Sequence, residues 1–144
     1  MKIVNRRAYH DYHLLEKFEA GIELTGPEVK SVKNGRMSLA GAFVRIKDDQ
    51  AFLVNAHISP YEFADARNYE PTRTRRLLLH KKEIISLETK IRQKRLTLVP
   101  LSCYTKGPWI KLKIALAKGK KKYEKKEAKK RKDLEREIER ELRG

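Results

Sequence analysis

Two stretches of the chain alternate apolar and polar residues about a turn, and one repeats at helical spacing. In "AFVRIKDDQAFLVNAHI", Val44 and Ile46 alternate with Arg45 and Lys47. "DDQ" then turns the chain, and Phe52 and Val54 resume the alternation, which predicts a hairpin. In "LTLVPLSCYTKGPWIKLKIAL", Ile110, Leu112, Ile114 and Leu116 share one face while Lys111 and Lys113 share the other. This is a second hairpin turned at "KGP", with Pro100 marking an edge or a bulge in its first strand. From His80, "HKKEIISLETKIRQKR" places Ile84, Leu87, Glu88 and Ile91 on one helical face.

Residues 13–26 read as a strand region punctuated by Gly21 and Gly26. Pro27 suits a first helical turn and Gly35 a helix end, so residues 28–34 read as a short helix. Residues 59–76 carry two prolines and no period, and read as a loop. About six strands and two or three short helices in under 120 residues, with no repeated βαβ pattern, predict a mainly β fold. An OB-like antiparallel barrel with flanking helices is the natural size.

Charge changes the picture. The chain has 144 residues, 40% of them hydrophobic, and a net charge of +16. Such an excess speaks to partners, and nucleic acid is the commonest polyanion. The charge is uneven: residues 1–117 carry a net +10 and residues 118–144 a net +6. We therefore expect a barrel over residues 1–117 and a basic tail over 118–144. The tail has too few apolar residues to order itself alone. It has no Pro or Gly between Lys120 and Arg143, and Leu134, Ile138 and Leu142 recur every four residues. A tail disordered when free and helical on a partner fits this pattern; fully helical, it would span roughly 40 Å.

A membrane surface is the rival polyanion, but it favours a helix with a broad apolar face, and no apolar run is long enough to cross a bilayer. The N-terminus lacks the apolar core of a secretory signal, and the single Cys103 excludes an internal disulfide. The chain reads as cytoplasmic.

Catalytic motifs are missing. Gly21 and Gly26 stand at P-loop spacing, but Pro27 occupies the place of the lysine. His10, Asp11 and His13 are close together without further ligands nearby, and no metal or cofactor is expected. Recognition chemistry is better represented. "NRRAYHDYH" interleaves Arg6 and Arg7 with Tyr9, His10 and Tyr12. Arginine pairs with phosphate in a fork, and rings stack on unpaired bases. Alternatively, Tyr9 and Tyr12 are core aromatics beside idle arginines. "PTRTRRLLLHKK" sets Arg73, Arg75 and Arg76 beside an apolar anchor, and Lys33 and Arg36 flank the end of the short helix.

"NRRAYHDYHLLEKFEAGIELTGPEVKSVKNGR" resembles the opening of the bacterial small protein B family, partner of transfer-messenger RNA. "EPTRTRRLLLHKKEI" is similar to that family's "DPTRTRKLLLH", and "LAKGKK" to its "VAKGKK". The resemblance runs in order over nearly the whole chain. It implies an OB-like body that binds the tRNA-like part of transfer-messenger RNA. It also implies a tail that fills the decoding centre and vacant message channel of a stalled ribosome, so that translation resumes on the tagging RNA. By matching position, Asn5, Glu19 and Leu78 correspond to family residues tied to RNA binding, and Arg73 and Arg75 lie in the matching "TRTR". Gly119, Lys120 and Lys121 match the tail junction. The family's His-Asp-Lys-Arg stretch aligns with Tyr123, Glu124, Lys125 and Lys126 here, so the aromatic and the charge order persist with different residues. Lys122, Lys129, Lys130 and Arg131 add phosphate contacts, and Tyr123 a surface for stacking. The expected protein is not an enzyme and is monomeric in its complex. A structural ribosomal protein or general RNA chaperone fits the composition equally; an RNA-modifying enzyme would need a pocket that the sequence does not advertise.

Overall fold

The computed structural model describes residues 1–121. Lys122, Tyr123, Lys125, Lys126, Lys129, Lys130 and Arg131 therefore lie outside the described residues. In chain order the elements are β1 (Lys2–Val4), α1 (Arg6–Asp11), β2 (Tyr12–Ile22), α2 (Gly26–Lys33), β3 (Met37–Ser38), β4 (Phe43–Lys47), β5 (Gln50–Val54), β6 (His57–Ile58), β7 (Arg75–Leu78), α3 (Lys81–Lys94), β8 (Thr97–Lys106) and β9 (Trp109–Gly119). Seven strands pair antiparallel in the order β1-β8-β4-β5-β7-β2-β9, and β8 also pairs with β9. Six of them thus close into a ring, in keeping with the mainly β fold expected. The closure is narrow: β4 meets β8 only at Val44–Leu98, and β1 takes over the same edge of β8 at residues 102–104. Strands β3 and β6 form a separate small pair.

Local chemistry accounts for the turns and caps. Asp48 and Asp49 adopt φ of 52° and 58° between β4 and β5. Two left-handed residues make the hairpin turn whose twist suits antiparallel strands, and Asp tolerates that region. Gly107, at φ 58°, opens the turn between β8 and β9. At the start of α2 the Thr25 hydroxyl accepts the Glu28 N–H at 3.3 Å, and the Glu28 carboxylate accepts the Thr25 N–H at 3.0 Å. This reciprocal cap, with Pro27 in the first turn, fixes where the helix begins.

The ring interior is filled by Ala20, Ile22, Val44, Ala51, Leu53, Leu77, Leu98, Cys103, Leu112, Ile114 and Leu116, with Val32 and Leu87 brought in by α2 and α3. Burial pushes the Cys103 thiol up to about 12, so it remains a packed, unreactive thiol. A second, smaller cluster lies on the outer face, where Ala8 of α1 packs on Val99, Leu101, Ala115 and Ala117. The end of β9 is therefore apolar on both faces, and its alanines leave room for the helix.

Several elements depart from the sequence-based expectation. β1, α1 and β7 were not expected, and β7 claims residues 75 and 76 from the expected loop. The register Val44–Leu53 and Ile46–Ala51 puts Ala51 and Leu53 inside. Phe52 and Val54, expected to carry on the buried alternation, are only half-buried because the two-residue turn sets the opposite phase. Pro100 does mark a bulge: the register slips between Pro100 and Ser102.

Candidate nucleic-acid interface

Antiparallel register lines up side chains from strands distant in sequence. Leu78 stands opposite Gly21, Gly21 opposite Lys111, Lys111 opposite Tyr104, and Tyr104 opposite Lys2. Directly opposed residues share a face, so these form one row across β7, β2, β9, β8 and β1. At ~4.8 Å per strand the row is roughly 19 Å long. Beside it, about 7 Å along the strands, runs a second row: Glu19, Lys113, Ser102 and Val4. At one end lie Trp109 and its partner Lys106, at the hairpin tip. At the other, Lys17 stands opposite Ala115, with Nζ 6.0 Å from the centre of the Tyr9 ring on α1.

The face combines cations with flat or apolar surface. Trp109 is 67% exposed, Leu78 51% and Tyr9 37%. Gly21 matters because a Cβ there would come within 3.1 Å of Leu78 Cβ; its absence lets Leu78 lie over the strand. Glu19 is the carboxylate within the two rows. It accepts hydrogen bonds from the Tyr104 hydroxyl and from Lys106 Nζ, the latter at 3.1 Å. Those bonds, Tyr104's first, hold it below the usual carboxylate range.

The residues expected to bind RNA divide sharply. Glu19 and Leu78 lie in the rows, and Tyr9 beside them. Arg6 and Arg7 are exposed on α1 and line a groove with Met37–Ala40, the segment that follows the exposed Arg36. Lys33 is exposed in the last turn of α2. The His10 ring lies 2.8 Å from the Asp11 carboxylate.

Asn5 and Arg75 lie inside the fold. Asn5 is buried; its amide donates to the Pro100 carbonyl and its backbone N–H to the Leu101 carbonyl, both at 2.8 Å. Both carbonyls lie at the β8 bulge, so Asn5 pins α1 onto the sheet. Arg75 is fully buried. Its guanidinium donates to Glu28 at 3.0 and 2.6 Å, to the Ala56 carbonyl at 2.7 Å, to the Pro71 carbonyl at 2.9 Å and to the Tyr69 hydroxyl at 3.1 Å. These bonds tie Arg75 to α2 and to the chain on either side of the loop after β6. Arg73, half-buried, also donates to Glu28. Burial would raise the Glu28 pKa, but hydrogen bonds from Arg73, the Thr25 N–H and Arg75 prevail and bring it down to about 2.

The junction with the tail is tied to α1. Lys118 and Gly119 still pair with His13 and Tyr12. The Lys120 N–H donates to the Asp11 carbonyl at 2.8 Å and its Nζ to the Tyr9 carbonyl at 3.4 Å. Lys121 is exposed.

Lys2, Lys17, Tyr104, Lys106 and Trp109 share this face and were not among the residues expected from the sequence. The sequence places Lys111 and Lys113 outward but has no register with which to join them to Leu78. A cavity of about 350 Å³ under the loop after β6 is lined by Pro27, Glu28, Tyr61, Asp65 and Tyr69, among others, and by no basic residue, so it does not suit a polyanion. Among the described residues no helix is long and apolar enough to cross a membrane, and no group of three or more His, Cys, Asp or Glu is placed to hold a metal.

Known proteins share this chain's sequence and shape. The SsrA-binding protein of Carboxydothermus hydrogenoformans is 56% identical over 120 residues, covering 83% of this chain and 80% of the relative. That of a Sulfurihydrogenibium species is 54% identical over 120 residues, covering 83% and 79%. A solved chain described under "tmRNA-SmpB: a journey to the center of the bacterial ribosome" superposes with a TM-score of 0.70 at 45% identity, covering 88% of this chain and 93% of that one. The family model for SmpB protein matches residues 2–144, which takes in both the row-bearing sheet and the basic tail. Matched over nearly its full length, the chain belongs to the SmpB protein family.

Proposed function

We propose that the chain binds the tRNA-like part of transfer-messenger RNA and carries it to stalled ribosomes for rescue and tagging of the incomplete product. The observation that carries this reading is the outer face of β7, β2, β9, β8 and β1. There Lys2, Lys111 and Lys113 flank Tyr104, Leu78 and Glu19 in two adjoining rows. Relatives named SsrA-binding protein and a related chain from a tmRNA-SmpB structure support the identity of the RNA. The cations attract the backbone and release its counterions. Trp109 and Tyr9 offer surfaces for stacking or apolar contact.

Residues 122–144 act separately from the body. Ten of the residues from Lys118 to Lys132 are basic and two acidic. A chain so charged is drawn to several RNA walls at once, which suits a message channel. Tyr123 supplies a flat surface at the decoding centre, and Lys122, Lys125, Lys126, Lys129, Lys130 and Arg131 contact phosphate. The protein performs no chemistry, works in the cytoplasm and is monomeric in the complex.

Competition binding tests the RNA assignment. With labelled tRNA-like domain bound at about 0.15 M salt, unlabelled tRNA-like domain is expected to compete at a concentration at least about a hundredfold lower than a generic hairpin of equal length. Equal competition would favour a general RNA chaperone or a structural ribosomal protein.

A further inference from the structure

One point in the basic face carries a carboxylate. Glu19 reaches from β2 across β9 to β8, where its carboxylate accepts a hydrogen bond from the Tyr104 hydroxyl and another from Lys106. Burial first, and then this bond, push the Tyr104 phenol up to about 12, so it keeps its proton. A phenol has a single proton to donate, and here it is directed at Glu19. Toward a ligand, the Tyr104 oxygen can therefore only accept, as can the remaining lone pairs of Glu19. A phosphate oxygen also only accepts, and finds no donor in these two groups.

We propose that Tyr104 and Glu19 form an acceptor-only reading point that receives a minor-groove hydrogen-bond donor of the bound RNA, either a ribose 2′-hydroxyl or the exocyclic amino group of guanine. These are the donors that the wide, shallow minor groove of folded RNA displays. Lys2 and Lys111, opposite Tyr104 on its two sides, hold the flanking backbone. The lysines supply attraction and the pair supplies discrimination. This inference rests on the RNA-binding reading above. Glu19 is a positioning residue for Tyr104 as well as an acceptor in its own right.

The test uses the sign of a charge effect. Glu19→Gln removes a negative charge from a basic face. Were charge all that mattered, every RNA would bind more tightly. The pair predicts a split: affinity for the tRNA-like domain falls about tenfold or more, while affinity for single-stranded oligo(U) rises. Tyr104→Phe is expected to show the same fall with oligo(U) unchanged. The double variant should be little worse than either single one, because both act at one point. Thermal midpoints of all variants, compared with wild type, separate this from unfolding, which would weaken both RNAs together.

Tyr104→Phe also separates the two donors. A tRNA-like domain made with 2′-deoxyribose, and one with inosine in place of guanosine, are each titrated. The one lacking the true donor should bind wild type more weakly but Tyr104→Phe no more weakly than the unmodified RNA does. If both RNAs tighten in Glu19→Gln, or if neither modification weakens wild-type binding, the reading point is wrong. If wild type itself does not prefer the tRNA-like domain to a hairpin, the RNA assignment fails instead.

Discussion

A chain ending at Lys121 is expected to hold the tRNA-like RNA nearly as well as the full chain, yet to reduce tagging in a reconstituted stalled ribosome to background. The reason lies in the division of charge. The described residues contain the whole ring, α1 and the opposed rows, so this cut removes none of them. It removes a segment with a net charge of +3, including Tyr123 and the run Lys129–Lys132. On the proposed function that segment occupies the vacant message channel, and nothing in the body replaces it. Stopping at Lys121 rather than Ala117 matters. Lys118 and Gly119 are paired in β9, and Lys120 is bonded to the end of α1, so the shorter chain would fray the sheet it is meant to spare. Tagging by the shortened chain at the normal rate would refute the tail's role.

Arg75→Met should destabilise the fold by about 3–5 kcal/mol, the usual consequence of leaving one member of a buried ion pair alone. Glu28 and Arg75 are each at most 1% exposed, and Arg75 ties α2 to the carbonyls of Ala56 and Pro71. The pair also sets an acid limit. The Glu28 pKa is about 2 in the fold against an ordinary 4.5. A depressed folded pKa gives stability that is complete above about pH 4.5 and is lost as pH falls toward 2, amounting to about 3 kcal/mol. Glu28→Gln mimics the protonated form. Denaturant melts should therefore show it well below wild type at pH 7, with the gap closing as pH approaches 2. A gap independent of pH would mean that the ionised carboxylate is not what holds α2.

The two hairpins and α3 were legible because their periods are local. "WIKLKIAL" shows its inward and outward faces within eight residues, and the structure keeps that assignment. β7 escaped because its pattern is inverted. Arg75 points in and Leu78 out, so the polar residue is buried and one apolar residue exposed. The same inversion hides the burial of Arg75, since an arginine-rich loop beside apolar residues looks exposed. Its buried partner is the distant Glu28, 47 residues away. Asn5 is a parallel case: its partner is a carbonyl at a bulge 95 residues later. The row from Leu78 to Lys2 depends on ring closure, which periodicity does not encode. Resemblance to a family supplied Glu19 and Leu78, but register supplied the lysines and tyrosine between and around them.

On the proposed function, the opposed rows on β7, β2, β9, β8 and β1 are where the body holds folded RNA. The most direct measurement is an NMR titration of the isotope-labelled chain with the tRNA-like domain, read as chemical-shift changes residue by residue. The largest changes are expected at Lys2, Gly21, Leu78, Tyr104, Lys111 and Lys113, with α3 nearly silent. Changes concentrated on the exposed side of α3, at Lys82, Ile85, Thr89 and Arg92, with the rows unmoved, would contradict it.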